Sequence, residues 1–592
     1  MKNIVANFIA LCTAGTLLLG CIEEEYPTDY AAASQVGTSE TALESLSNST
    51  AAFMYVYSYP GTMPTQEFGY PAMMTMRDCL TDAPYVSTNW NEFNTPWSNL
   101  ADFSSTRVRQ PWRFHYRLIL NANNTIFAIE DPDAAPVNLQ RFYGNALVYR
   151  AMSYLDLTRM FEYKRTGIAT LDGEADKNEL WGLTVPIVNE HSDGRDVDNN
   201  PRVPFYTMYR FILTDLNKAE KYLSGYARTS KNRTDVSVVH AYKARVWLEI
   251  ATRFQKYPAD LQAQLAHEND EEIAMYEKLN ITSAQECYQK AAEYARLVMG
   301  KYSPLTEEQW HSTTDGFNKM SVSSWIFAIS INSIDAVYHR SNNFYSFNST
   351  EYTRGYSRSQ YFCYRMIDKS LYDQIEDDDW RKVTWKDPAD FNGRYPAGAL
   401  VPPVPPQYHT LFRNDPWEWH HRDAYVGFKF RPNQGDISDD WINALMVDYP
   451  LIRVEEMYFI EAEAKTYTED LSSGINALSS FLNTHRYKNG TYNIAPEGVD
   501  DFIDNYLITQ KRIELWGEGL SYFDIKRREL ALTRGYSGTN WLAANRYNSI
   551  SGFTPSWLNY YIPNEGEASV NKAMRINPDP AVRASYGLWT GN

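Results

Sequence analysis

Two adjacent histidines flanked by acids, Glu418-Trp-His-His-Arg-Asp423, are raw material for a metal site or an acid–base pair. A metal-binding helix spaces its histidines four apart so that both rings reach one ion, and His420-His421 lacks that spacing. An exposed loop accounts for the stretch better. Asp377-Asp378-Asp379 and the acids within His267-Glu-Asn-Asp-Glu-Glu272 offer hard oxygen ligands. Neither run has the glycine-spaced pattern of an EF-hand, so a structural calcium is left open and no cofactor is required. No GxSxG, phosphate loop or dinucleotide fingerprint occurs. Paired carboxylates for glycoside hydrolysis cannot be singled out, because any two of 73 acids might face each other. No catalytic residue and no enzyme is expected.

The densest charges lie late in the chain: Arg453, Glu461, Glu463, Arg512, Glu514, Glu518, Asp524 and Arg527. Many sit about one helical turn apart, which predicts ion pairs within and between packed helices rather than catalysis. Binding chemistry is better represented. Sugar rings present apolar C–H faces and hydroxyl edges, so their sites combine aromatic platforms with carboxamide, acid or guanidinium partners. Asn89-Trp-Asn-Glu-Phe-Asn-Thr-Pro-Trp97 has that mixture, with Arg77, Asp78 and Asp82 just before it.

Helices must position these residues. Trp112–Ile129 and Asn138–Phe161 form one predicted pair; Leu147, Val148, Ala151, Met152 and Leu155 make an apolar face. Helical spacing around Tyr209–Leu223 and Val238–Ala251 gives a second pair, and Glu286–Met299 a further helix whose alanines allow close approach. Paired amphipathic helices rich in Ala and Tyr resemble tetratricopeptide units without a strict period. Residues 301–449 are rich in Pro, Gly, Asp, Trp and Tyr and predict short strands and long loops. Helices resume with Val454–Ala464, Ile475–His485 and Phe502–Trp516, the last ending at Gly517. The fold class is mainly α, and ligand contacts belong in the loops rather than on the scaffold.

The N-terminus adds a location. Lys2 precedes a mostly apolar Ile4–Leu19 and then Gly20-Cys21, a secretory signal by pattern. Leu18-Leu19-Gly20-Cys21 resembles a bacterial lipobox, in which the Cys21 thiol is acylated. Leu19 is larger than that motif prefers. The segment is short for a permanent span and carries Asn7, Thr13 and Thr16. Glu23-Glu24-Glu25 resembles a surface-export signal, and solvation of a linker explains the acids equally well. Cys79, Cys287 and Cys363 remain, with no zinc-like spacing. The net charge of −17 argues against nucleic acid. An aromatic content of 15%, with 44 Tyr and 16 Trp, suits a core, an interface or sugar stacking.

Several segments, in order, resemble the SusD/RagB family of outer-membrane nutrient-binding lipoproteins. Asn121-Ala-Asn-Asn-Thr-Ile126 resembles its Asn-rich helix, and Arg150-Ala-Met-Ser-Tyr-Leu-Asp-Leu157 its RAxxYxxL helix, followed by Val185-Pro-Ile187. Arg202-Val203-Pro204 with Asp215-Leu216, and Ala241–Leu248, are similar to the next two helices. Pro450–Ala464, Asn476–Arg486, Arg512–Gly519 with Phe523–Arg527, and Tyr561-Ile-Pro-Asn-Glu565 resemble the closing motifs. Gln510-Lys511 replaces the usual Glu-Arg, and Leu520-Ser521 the arginine after Glu-Gly; these departures are expected to loosen a buried ion-pair network.

The resemblance implies a SusD-like fold: signal peptide 1–20, lipidated cysteine and tether 21–45, helical region 46–300, ligand-binding insertion 301–449, and helical closing region 450–592. It implies a surface-exposed, lipid-anchored outer-membrane protein that captures oligosaccharide or polysaccharide. A TonB-dependent SusC-like transporter is then the partner, with this chain as its hinged lid. Part of the ligand site in starch-binding relatives comes from the early region and part from the insertion. By position, Arg77, Trp90 and Trp97 are candidates for the first, and Tyr338, Phe344, Tyr345, Trp417 and Trp419 for the second. The rivals are a peptide-binding RagB-like lid, a surface glycoside hydrolase, and a lid without a ligand.

Overall fold

Side-chain caps mark where several helices begin. Asp235 accepts the Val238 N–H at 3.1 Å, Ser283 that of Glu286 at 3.2 Å, and Asp470 that of Ser473 at 2.7 Å. The computed structural model describes residues 36–56, 69–84, 106–193, 196–331, 365–389, 400, 403, 423–431, 433, 446–563, 567–580 and 586–591. The principal helices are α1 (Glu40–Val56), α2 (Tyr70–Leu80), α3 (Thr106–Ala128), α4 (Val137–Phe161), α5 (Phe205–Tyr222), α6 (Val236–Lys256) and α7 (Ala284–Met299). After strands β1 (Trp325–Ser330) and β2 (Asp448–Arg453) come α8 (Val454–Thr468), α9 (Leu471–His485), α10 (Ile508–Glu514) and α11 (Ser521–Arg528). The fold is mainly α.

The helices stack as neighbours in sequence: α3 on α4, α4 on α5, α5 on α6, α6 on α7 and α8 on α9. The remaining step, α7 on α8, is long-range, because residues 300–453 lie between them in the chain. The stack therefore runs on as though that stretch were absent. Ala241, Ala244 and Ala251 of α6 and Ala291, Ala292 and Ala295 of α7 are all buried, and their small side chains let helix axes approach. Antiparallel pairing of β1 with β2, from Trp325↔Arg453 to Ser330↔Asp448, ties the excursion's two ends. That pair is the one sheet among the described residues.

Several helix ends differ from the periodicity, two of them in kind. α3 begins at Thr106 rather than Trp112 and carries Pro111 in its second turn. The expected helix 502–516 opens instead with a π-helical stretch, Phe502–Leu507, before α10. Beyond α10 the chain turns at Gly517, whose φ of +80° is left-handed.

Candidate ligand-binding site

Four short extended segments lie side by side, and three of them border the stretches carrying the candidate aromatics. The Pro84 carbonyl, which precedes 85–105, accepts from Met366 N–H at 2.9 Å, and Asp82 O accepts from Asp368 N–H at 2.9 Å. Residues 365–368, which follow 332–364, donate in turn from Ile367 N–H to Tyr425 O at 3.0 Å. Residues 425–428, just beyond 404–422, pair with the fourth segment: Lys386 N–H to Val426 O at 3.0 Å and Phe428 N–H to Thr384 O at 2.8 Å. The roots of the three aromatic-bearing stretches thus meet in one hydrogen-bonded base. Tyr425, at the root of the third, holds a left-handed φ of 68°, rare for an aromatic residue.

Buried polar groups hold this base. Asp82 takes Arg512 through Nε at 3.1 Å and Nη2 at 2.5 Å. Asp368 receives Trp541 Nε1 at 2.6 Å and Tyr536 Oη at 2.8 Å. Gly427 packs so closely on the Trp516 indole that a Cβ would lie 2.6 Å from it. Beneath the early segment, Arg77 is wholly buried. Its Nε donates to Gly519 O at 2.8 Å, Nη2 to Tyr70 Oη at 3.2 Å and Nη1 to Asp156 at 3.5 Å. These bonds make Arg77 a support for the root of the early loop from below, where sequence position placed it at the ligand.

Asp78 is buried between Arg365, at 3.5 Å, and the Gly519 N–H, at 2.9 Å. Burial pushes its carboxyl up to about 7 from the ordinary 3.8, with Arg365 and the Gly519 N–H pulling the other way. Between those values the folded chain holds a proton that the unfolded chain has lost. The contribution to stability is therefore complete at low pH and is lost as pH rises through 7. Thermal melts of Asp78→Asn across pH 4.5–7.5 should show a flatter decline than the parent chain, since the amide stays neutral and can still accept from Gly519. Parallel curves would refute this assignment. Asp156 behaves oppositely: Arg159 and Arg77 outweigh its burial and hold it down to about 2.

A second buried system fastens the insertion to the C-terminal helices. Glu514 accepts from Arg381 Nη1 at 2.9 Å, Arg453 Nη1 at 3.2 Å, and Arg486 Nε at 2.8 Å and Nη2 at 2.9 Å. Arg381 also chelates Asp379, Arg453 bonds Glu518, and Arg486 bonds Glu455. Lys429 spends its three donors on Glu518 Oε1 and the carbonyls of Glu514 and Trp516, at 2.6–2.9 Å. Burial brings its ammonium down to about 8 against the pull of Glu518. Trp310 lies beneath Lys429, Arg453 and Arg486 at 5.0–5.6 Å. The expected loosening at Gln510-Lys511 does not occur. Gln510 Oε1 accepts from Arg381 at 2.5 Å and Lys511 bonds Asp524 at 2.8 Å, so both substitutes are built into the network.

The other late charges are paired too: Arg527 with Glu463 and Asp524, and Glu461 with Arg296, within and between helices as expected, and Arg512 with Asp82 beyond the end of α2, which spacing does not foretell. Earlier motif residues do the same. Arg150 grips Asp215 at 2.7 and 2.8 Å and Asn123 at 2.9 Å. The acid-rich loop considered for calcium folds around an internal cation. Carbonyls of His267, Glu268, Ile273, Tyr276 and Glu277 all accept from the buried Arg210 guanidinium. The aspartate run divides its duties: Asp377 pairs Lys382, Asp378 bonds Asn489 and Thr491, and Asp379 holds Arg381. Among the described residues no group of three or more His, Cys, Asp or Glu is placed to hold a metal. Cys21, Trp90, Trp97, Tyr338, Phe344, Tyr345, Trp417 and Trp419 lie outside the described residues, as do His420 and His421.

Two family models match in sequence order. One, described as starch-binding and associating with the outer membrane, matches residues 58–248; the other, the SusD family, matches 425–578. The chain belongs to the SusD/RagB family. Solved structures share the fold of this SusD/RagB protein. A SusD-like carbohydrate-binding protein from Bacteroides vulgatus is 21% identical with a TM-score of 0.61, over 90% of this chain and 97% of its own. A SusD superfamily protein from Bacteroides thetaiotaomicron is 18% identical with a TM-score of 0.61, over 91% and 100%. A SusD-like carbohydrate-binding protein from Bacteroides fragilis is 14% identical with a TM-score of 0.58, over 91% and 100%. No curated protein matches. The SusD/RagB models fall on the helical scaffold and on the 425–428 root, and leave most of the insertion unmatched.

Proposed function

We propose that this protein is a cell-surface, lipid-anchored glycan-binding protein that captures oligosaccharide and passes it to a TonB-dependent SusC-like transporter in the outer membrane. The observation that carries the reading is the shared base. The segments 85–105, 332–364 and 404–422, which hold Trp90, Trp97, Tyr338, Phe344, Tyr345, Trp417 and Trp419, are rooted side by side in it. Three stretches that carry the candidate aromatics thus border neighbouring backbone segments, which supports a shared ligand for them. The family description as starch-binding and outer-membrane-associated supports the ligand class and the location. Cys21 supplies the anchor. Among the described residues no helix is long and apolar enough to cross a membrane. The role is binding and delivery, without covalent chemistry.

Calorimetric titration of soluble protein beginning at Ile22 against plant, host and microbial glycans tests the reading. One glycan should give saturable heat, and Trp90→Ala or Trp97→Ala should weaken it roughly 30-fold or more, as for a central aromatic contact. Silence across the panel refutes glycan capture and moves peptides forward as ligand. Release of reducing ends would refute the non-enzymatic role.

A further inference from the structure

Where α4, α6 and α11 meet, three buried donors have no hydrogen-bond partner: Thr158 Oγ1, Arg159 Nε and Arg253 Nε. The remaining nitrogens of both arginines are engaged. Arg159 Nη2 donates to Asp156 at 2.5 Å with Nη1 3.7 Å from Glu249, and Arg253 bonds Asp260 at 2.7 Å and also Glu162. All three residues line one cavity of about 20 Å³, room for a single water-sized occupant.

Lys526 lines the same cavity. Its ammonium is buried and donates to Met160 O at 2.7 Å, and no carboxylate among the described residues pairs with it. Lys164, Lys256 and Arg527 complete the cationic lining against two carboxylates, Glu162 and Glu249. Both acids already have partners: Glu162 has Arg253 and Lys164, and Glu249 has Arg159. A water molecule there would accept two hydrogen bonds and donate toward Glu162 or Glu249, leaving a third donor unmet and the Lys526 charge unbalanced. A monatomic anion accepts from several donors at once, brings no proton, and balances the lone ammonium.

We propose that this cavity is a halide site, taken by chloride in ordinary salt, which joins α4, α6 and α11 through Thr158, Arg159, Arg253 and Lys526. Burial drives the Lys526 ammonium well below its ordinary range, Lys164 and Arg202 push the same way and Glu249 pulls against them, so an anion in the cavity would favour the charged form. The anion would fasten the N-terminal helices to the helix that follows the Gly519 turn.

The full chain is melted in sodium chloride and in sodium gluconate at equal ionic strength. Chloride should raise the midpoint, saturably, by roughly 2–3 °C. In Lys526→Met the ammonium is gone, so the two salts should give the same midpoint. Crystals of the unaltered chain grown in bromide should show an anomalous peak between Arg159, Arg253 and Lys526, a readout that does not depend on the variant folding. Equal midpoints in both salts for the unaltered chain, the same chloride effect in Lys526→Met, or water without anomalous signal in the cavity would each overturn the proposal.

Discussion

Glu514→Gln is expected to destabilise the fold by about 3–5 kcal/mol, the range for breaking a buried ion pair and leaving its partners uncompensated. Three arginines converge on this one carboxylate, and all are buried. The amide keeps a single oxygen and turns an NH₂ group toward guanidinium donors, so at least one bond becomes a donor–donor clash. Arg381, Arg453 and Arg486 hold the Glu514 carboxyl far below the usual carboxylate range although burial alone would raise it. A depressed carboxyl contributes stability that is present above the unfolded value and lost only as pH falls through the folded one. The loss in Glu514→Gln should therefore be the same at pH 6 and pH 8. Urea unfolding at both pH values checks the size, and amide exchange checks the place: protection should fall first around 379–386 and 425–431, which these arginines and Lys429 fasten. An effect below about 1 kcal/mol would mean that the network is not a keystone of the insertion.

Gly519→Ala is expected to be comparably severe, about 3–5 kcal/mol, by another mechanism. Its φ of +71° is left-handed, and a Cβ would lie 2.6 Å from Met74 Cα and 2.9 Å from Met74 O, backbone atoms of α2 that cannot swing aside. Moving the turn also pulls Gly519 N–H from Asp78 and Gly519 O from Arg77. Gly538 provides the control: its φ is +75° with nothing within 4 Å, so Gly538→Ala carries only the conformational cost of about 1–2 kcal/mol. The difference between the two unfolding midpoints isolates the steric component. Equal effects would refute the close approach of the turn to α2. Glycan titration of Gly519→Ala should also show weakened capture, because the displaced turn lies beneath the root of the early loop.

Much of the scaffold is legible in the sequence because its signals are local. Apolar residues at helical steps mark α4, α6 and α7. The late charges are legible as scaffold for the same reason. Their partners in the insertion are not, since Arg381 and Glu514 stand 133 residues apart and no spacing rule links them. Arg77 shows the opposite difficulty. An arginine just before an aromatic loop suits a ligand edge, and only the three-dimensional contacts with Tyr70, Asp156 and Gly519 show that it faces inward. The acid-rich 267–272 loop is hard to read for a similar reason: its His267 and Glu268 carbonyls hold Arg210 while Glu268 and Asp270 carboxylates bond within the loop and its neighbours, and every residue type has a carbonyl. The convergence of Asp82–Pro84, Arg365–Asp368 and Tyr425–Phe428 rests on backbone hydrogen bonds, which leave no side-chain trace in the sequence.

The direct seating of α7 on α8 lets the helical stack close without the stretch between them. Trp310, Phe317, Trp325 and Trp385 of that stretch are buried in the main core, yet the helical stack itself passes from one to the other without it, and doubling a loop costs only about 0.6 kcal/mol in closure entropy. The fixed requirements are the β1–β2 clasp and the anchor points around Arg381 and Lys429. These are the constraints that the described part of the stretch sets on any change made within it. Under the proposed role, a change of ligand would be made between these anchors, with the helical frame left as it is.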